Sequence, residues 1–241
     1  MKKTFCLVLV VFTNFFSYCQ APDYDDLKIL YADGKYEKLV AAADKYTLKE
    51  STSKDPNSFM WLARGLYKIS ISGNSDEKYA TAYKDAIGAL SKVTKLDKDT
   101  SCRTANKEFV DEFQMSLANR VNDFITSEKF RDASGMAVKY YKISTNIIGA
   151  KYIEASAKYR NADKGGASAL WKECDKILTT IVDLETWSEA DISLFKSGIL
   201  MTADCYINGR QKEKAVDLLN KVAPWFEADE EFKARYDELT K

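Results

Sequence analysis

Residues 195–226 read FKSGILMTADCYINGRQKEKAVDLLNKVAPWF. Phe195, Ile199, Ala203 and Tyr206 follow one another at spacings of four, four and three, the interval of one helical face. Asn208-Gly209 breaks the pattern with a residue that adopts positive φ at little cost. The rhythm resumes at Ala215, Leu219 and Val222. The stretch predicts two short amphipathic helices folded back on each other by a tight turn.

Working outward, the same arrangement recurs. Leu27, Leu30 and Tyr31, the turn Asp33-Gly34, then Leu39, Ala43 and Tyr46 predict a first hairpin from about Asp23 to Tyr46. Pro56 sits in a polar connector, 49–57, where a helix is not expected. Phe59, Leu62, Ala63 and Leu66 open a second hairpin. Its turn is Ser72-Gly73-Asn74, and Ser75 is the expected cap of a long return helix through Tyr79 to Leu96. After 98–103, Val110, Phe113, Leu117, Val121 and Phe124 mark a third outgoing helix. Ser127 to Lys129 breaks it, and Phe130, Ala133, Ala137 and Tyr140 mark the return.

Tyr152, Ala155 and Tyr159, a polar turn over 161–166, and Leu170, Cys174, Ile177, Ile181 and Leu184 form the fourth hairpin. Ser188-x-x-Asp191 reads as a capping box opening the fifth. A last amphipathic segment, 229–241, carries Phe232, Tyr236 and Leu239 on one face and is expected to cover the end of the array. Gly88 and Gly135 each follow a return-helix Ala by two residues. A helix-interior Gly costs roughly 1 kcal/mol against Ala, so both predict close helix approach.

A small residue before a Tyr, a turn Gly, and nine residues from that Tyr to an Ala resemble a tetratricopeptide repeat. Nine residues also separate Phe124 from Ala133. The anchors Tyr31, Leu66, Phe124, Tyr159 and Tyr206 are spaced 35, 58, 35 and 47, two intervals near the family period and two stretched by insertions. The resemblance implies an all-α, right-handed superhelix of about five hairpins plus a C-terminal capping helix, one domain over 20–241.

It also implies that the first helix of each hairpin lines a concave face where partner peptides lie. Carried over, that face comprises Arg64, Tyr67, Lys68, Asn122, Arg160, Asn161, Asp204 and Asn208. These amides and charges suit an extended peptide backbone or an acidic tail. The matched Lys and Asn of the carboxylate-clamp branch of the family are not found in register.

Composition narrows the function classes. Basic and acidic residues number 36 each, which leaves no cationic surplus for nucleic acid. The chain has no His, so the commonest general base and a common metal ligand are missing. Glu108, Asp111 and Glu112 form the best acidic group, which a helix dipole explains without chemistry. No cysteine spacing suits a metal. The sequence therefore predicts no catalytic residue, no metal and no cofactor.

Residues 1–19 read as a secretory leader. Lys2 and Lys3 precede an apolar run from Phe5 to Phe16, too short to span a membrane, and Ser17-Tyr18-Cys19 resembles a cleavage site. Lipidation of Cys19 is the rival reading, which Tyr18 disfavours. Removing Lys2 and Lys3 leaves 34 basic against 36 acidic residues, a charge of −2. Cys102, Cys174 and Cys205 remain; Cys174 and Cys205 are the pair placed to bridge, and burial as small apolar residues is the favoured reading.

The expectation is an exported, non-catalytic scaffold of the periplasm or cell envelope that holds a protein or peptide. The alternative is a small-ligand or glycan-binding envelope protein that uses exposed aromatics, with Trp61, Trp171, Trp187 and Trp225 as the residues to watch.

Overall fold

A computed structural model describes residues 22–73 and 76–240. The expected leader with Cys19, and the expected cap Ser75, lie outside the described residues. Those described form twelve α-helices and two short 3-10 turns. Five pairs follow one another: α1 (Asp25–Ala32) with α2 (Tyr36–Leu48), α3 (Pro56–Ile71) with α4 (Ala82–Leu96), α6 (Lys107–Thr126) with α7 (Phe130–Tyr140), α8 (Ile148–Arg160) with α9 (Lys164–Leu178), and α10 (Glu189–Asn208) with α11 (Lys212–Val222). The short α5 (Ser101–Ala105) leads into α6, and α12 (Glu230–Thr240) packs on α10 and α11.

Local chemistry sets the helix starts. Asp55 accepts the N–H of Asn57 at 2.9 Å, with Pro56 in the first turn of α3, where a missing N–H costs nothing. The Ser188 hydroxyl accepts the N–H of Asp191 at 3.1 Å, as the capping box predicts. Other starts differ from expectation. α3 takes in Pro56 and Asn57 of the expected connector, because Asp55 caps it there. α9 starts at Lys164 inside the expected turn, because Asp163 caps it. α4 begins at Ala82, because a 3-10 turn at Glu77–Tyr79, capped by Asp76, takes up the residues before it. Asp97 accepts the N–H groups of Cys102 and Arg103, which starts a separate short α5 ahead of α6, the two parting at Asn106.

The turns share one geometry. Gly34, Glu128, Ala162 and Arg210 all have positive φ. At each, that residue's N–H reaches the carbonyl three residues back: Tyr31, Ile125, Tyr159 and Ile207. The next N–H reaches the carbonyl five back: Leu30, Phe124, Lys158 and Tyr206. This pair of bonds satisfies the last carbonyls of the outgoing helix. The left-handed residue of the last turn is thus Arg210, not Gly209, whose φ is −81°. Gly209 instead makes room for a neighbour: a Cβ there would lie 2.7 Å from the Tyr159 hydroxyl, which would have to shift.

The close helix approach expected at Gly88 and Gly135 is not found. Both are exposed, and a Cβ on either would meet nothing within 4 Å. The approach lies instead where α8 crosses α10. A Cβ on Gly149 would fall 2.4 Å from the Phe195 nitrogen, and one on Gly198 would fall 2.6 Å from the Gly149 carbonyl oxygen. About two turns on from the Gly149–Phe195 contact, the Ser156 and Thr202 hydroxyls bond at 2.8 Å inside the interface.

In a simple stack each hairpin meets only its neighbours in sequence. Here α10 lies beside α6 as well as α8, so α6, α7, α8 and α10 close a ring of packed helices. At the start of α10, Asp191 is buried and accepts hydrogen bonds from Tyr140, the last residue of α7, at 2.7 Å and from Ser144 of the next loop at 2.8 Å. Burial raises its carboxyl above the ordinary aspartate value, and the hydrogen bonds offset part of that rise.

Candidate functional site

The ring leaves a concave cleft of about 680 Å³ between α6, α8, α10 and α12. On α10, Ser193, Ser197, Leu200 and Asp204 recur at helical spacing and form one wall. Opposite them stand Asn122 and Ile125 of α6 and Arg160 of α8. The fourth wall is α12, through Glu231, Arg235 and Glu238. Three of the expected site residues, Asn122, Arg160 and Asp204, therefore converge.

The polar groups of the cleft are ordered by charge. Lys196 donates to Asp229 at 2.9 Å and to Glu231 at 2.7 Å. Arg235 bridges Asp204 and Glu238. The Arg160 guanidinium lies 3.9 Å from Asp204 and over the Phe130 ring at 4.6 Å. Asn122 donates to the Ser193 hydroxyl at 3.0 Å, while its buried Oδ1 has no donor. Ile125, Leu200 and Met201 supply apolar surface between these groups. The arrangement offers donors, acceptors and both signs of charge along an apolar strip.

The other expected residues fall elsewhere. Arg64 stands between three rings, at 5.6 Å from Tyr31, 5.3 Å from Trp61 and 5.0 Å from Phe109, and donates to Asn106 at 2.9 Å. Tyr67 is only 5% exposed and packs edge-on to Phe109 and Phe113. Lys68 pairs with Glu112 at 2.9 Å. These three residues join α3 to α6 and do not line the cleft. Asn161 follows the last turn of α8, exposed, and Asn208 ends α10 beside a second cleft.

Sequence reasoning missed Ser193, Lys196, Ser197 and Arg235. The polar stripe on α10 carried a signal, since it runs opposite the buried Phe195, Ile199 and Tyr206. The part of α12 carried none, because nothing local says which helix a terminal segment will face.

Trp171 is buried, and Trp61, Trp187 and Trp225 are half-buried. Trp187 and Trp225 pack on Phe195, at 5.3 and 6.0 Å between ring centres. Trp61 belongs to the Arg64 cage. Cys102, Cys174 and Cys205 are buried free thiols, and burial pushes the Cys174 thiol up to about 12. Cys174 and Cys205 do not bridge, as the packing reading of the sequence has it. Asp111 pairs with Lys107 and Glu112 with Lys68, and no metal-holding cluster of acids and cysteines occurs among the described residues. No described helix is long and apolar enough to cross a membrane. No family model, curated protein or solved structure matches the chain.

Proposed function

We propose that the chain is a non-catalytic scaffold, exported to the periplasm or cell envelope, that holds an extended peptide segment of another protein in the cleft between α6, α8, α10 and α12. The observation that carries this reading is the unpaired Asn122 Oδ1 at a cleft wall that also offers hydroxyls, both signs of charge and an apolar strip. A peptide backbone presents alternating donors and acceptors, and a carboxamide on a concave helical surface is well suited to pair with it. A buried acceptor without a donor is unfavourable, so a peptide N–H that reaches it adds affinity.

A tetratricopeptide-like stack is supported by five successive helix pairs whose members pack on each other in chain order, and its right-handed sense rests on the resemblance. A non-catalytic role is supported by the missing His and by thiols whose burial disfavours the reactive thiolate. Export rests on the character of residues 1–19. The glycan-stacking alternative is weakened by the tryptophans, which pack inward at three separate places.

Panning a display library of short random peptides on the folded chain and on a Ser197→Arg variant tests the reading. Ser197 lines the cleft and forms no described side-chain bond, so the substitution fills space without removing a structural contact. Enriched peptides that bind the wild type and lose at least about tenfold in affinity on the variant are the expected result. Absence of enrichment, or equal binding to both proteins, overturns it.

A further inference from the structure

A second cleft, of about 600 Å³, lies where the α8–α9 and α10–α11 turns meet, and it shares no lining residue with the first. Its aromatic wall is Tyr159, Trp171 and Tyr206, with ring centres 5.5 Å and 4.8 Å apart in that order. Trp171 is 6% exposed, and its indole N–H, which can only donate, has no acceptor. A buried donor left without a partner in a cleft wall marks the place of an acceptor from outside the chain.

Around this wall stand Lys164, Lys172, Arg210 and Lys214, against a single carboxylate, Asp175. None of the four cations forms a salt bridge among the described residues. Aromatic faces hold two of them in place: Lys164 Nζ lies 5.7 Å from the Tyr159 ring centre and Lys214 Nζ 5.9 Å from that of Tyr206. The one carboxylate, Asp175, is engaged from behind by the Tyr152 hydroxyl, which donates to it at 3.3 Å. Ser168, Asn208 and Gln211 add further donors. The first cleft differs in kind, since its cations are tied to acids of the neighbouring walls.

We propose that this second cleft binds a small organic polyanion bearing two or three carboxylate or phosphate groups, one oxygen of which accepts the Trp171 indole N–H. Four cations that face one acid inside a concave surface raise the local potential and concentrate such a ligand. The rings exclude water on one side, which strengthens each charge-assisted bond.

The test titrates citrate, inorganic tripolyphosphate and neutral maltotriose into the folded chain at about 0.1 M salt, a level that screens exposed charges. Calorimetry and tryptophan fluorescence report binding. At least one charged probe is expected to bind and maltotriose is not, and the preference between citrate and tripolyphosphate names the oxyanion. Lys172→Glu with Lys214→Glu is expected to weaken that binding by at least about tenfold with the circular dichroism spectrum unchanged. Trp171→Phe keeps a ring in the wall, removes the donor, and is expected to weaken binding roughly fivefold to tenfold. Ser197→Arg in the first cleft leaves it unchanged. No response to either charged probe at about 10 mM, the weak end of specific binding, overturns the proposal. Equal affinity in the double lysine variant, or maltotriose binding as well as the charged probes, overturns it too.

Discussion

The α8–α10 crossing and the α3–α6 joint both hold one hairpin against another, and they use opposite ends of the amino-acid size range. At the first, Gly149 and Gly198 remove side chains so that backbone meets backbone. At the second, Tyr67, Phe109, Phe113 and the Arg64 guanidinium fill the space between helices that stay further apart. A joint of large rings tolerates adjustment, because side chains re-pack through their rotamers. A backbone contact has no such freedom. The crossing therefore fixes geometry, and the ring joint supplies buried area.

The sharpest way to break this contrast is Gly149→Ala. Its Cβ would meet the backbone of Leu194 and Phe195, and neither can rotate away. We expect a loss of about 3 kcal/mol or more, the upper range of overpacking, read from urea unfolding. A loss below about 1 kcal/mol would show that α10 can slide, and the contrast would fail.

The next largest effect belongs to Asp191, which ties α7 to α10. Asp191→Ala strands the buried Tyr140 hydroxyl, takes one acceptor from Ser144 and is expected to cost about 2 to 3 kcal/mol. Asp191→Asn keeps an acceptor for both and is expected to be nearly neutral at low pH. The sign of the pH dependence follows from the raised carboxyl. In the folded chain Asp191 keeps its proton to higher pH than in the unfolded chain. Its contribution is most favourable below the unfolded value and is lost as pH rises through the folded one. Unfolding midpoints measured across this range are expected to show the loss in the wild type and not in Asp191→Asn.

Arg64→Ala tests the joint of large side chains. It removes a cation from three rings and one hydrogen bond, and about 1 to 2 kcal/mol is expected to go. Arg64→Lys is expected to recover only part of this, because an ammonium cannot stack as a planar guanidinium does. Full recovery would mean that charge alone matters there.

The smallest effect has the opposite sign. Gly88→Ala and Gly135→Ala add a methyl group to exposed helix positions with open space around them. Each is expected to stabilise the chain by about 0.5 to 1 kcal/mol, seen as a higher melting temperature. The same substitution thus separates the two kinds of glycine by several kcal/mol, as an order-of-magnitude expectation.

Local signals made much of the fold legible. The apolar spacing of Phe195, Ile199, Ala203 and Tyr206 names a buried face, and all four are buried. Ser188 and Asp191 announce a helix start that is found where expected. The candidate site was legible only in part. Asn122, Arg160 and Asp204 lie on outgoing helices and do converge, whereas Arg64, Tyr67 and Lys68 have the same register and are spent on joining α3 to α6.

The sequence by itself determined the amphipathic pattern of five hairpins and a terminal helix, most of the pairing within them and the inward packing of the aromatic residues, because each depends on spacings within a few turns. Tertiary structure alone decided which glycines carry a close contact, that α10 lies beside α6, and that α12 walls the first cleft. Those outcomes depend on residues far apart in the chain, and a glycine in open solvent looks the same in sequence as one pressed against a neighbouring backbone.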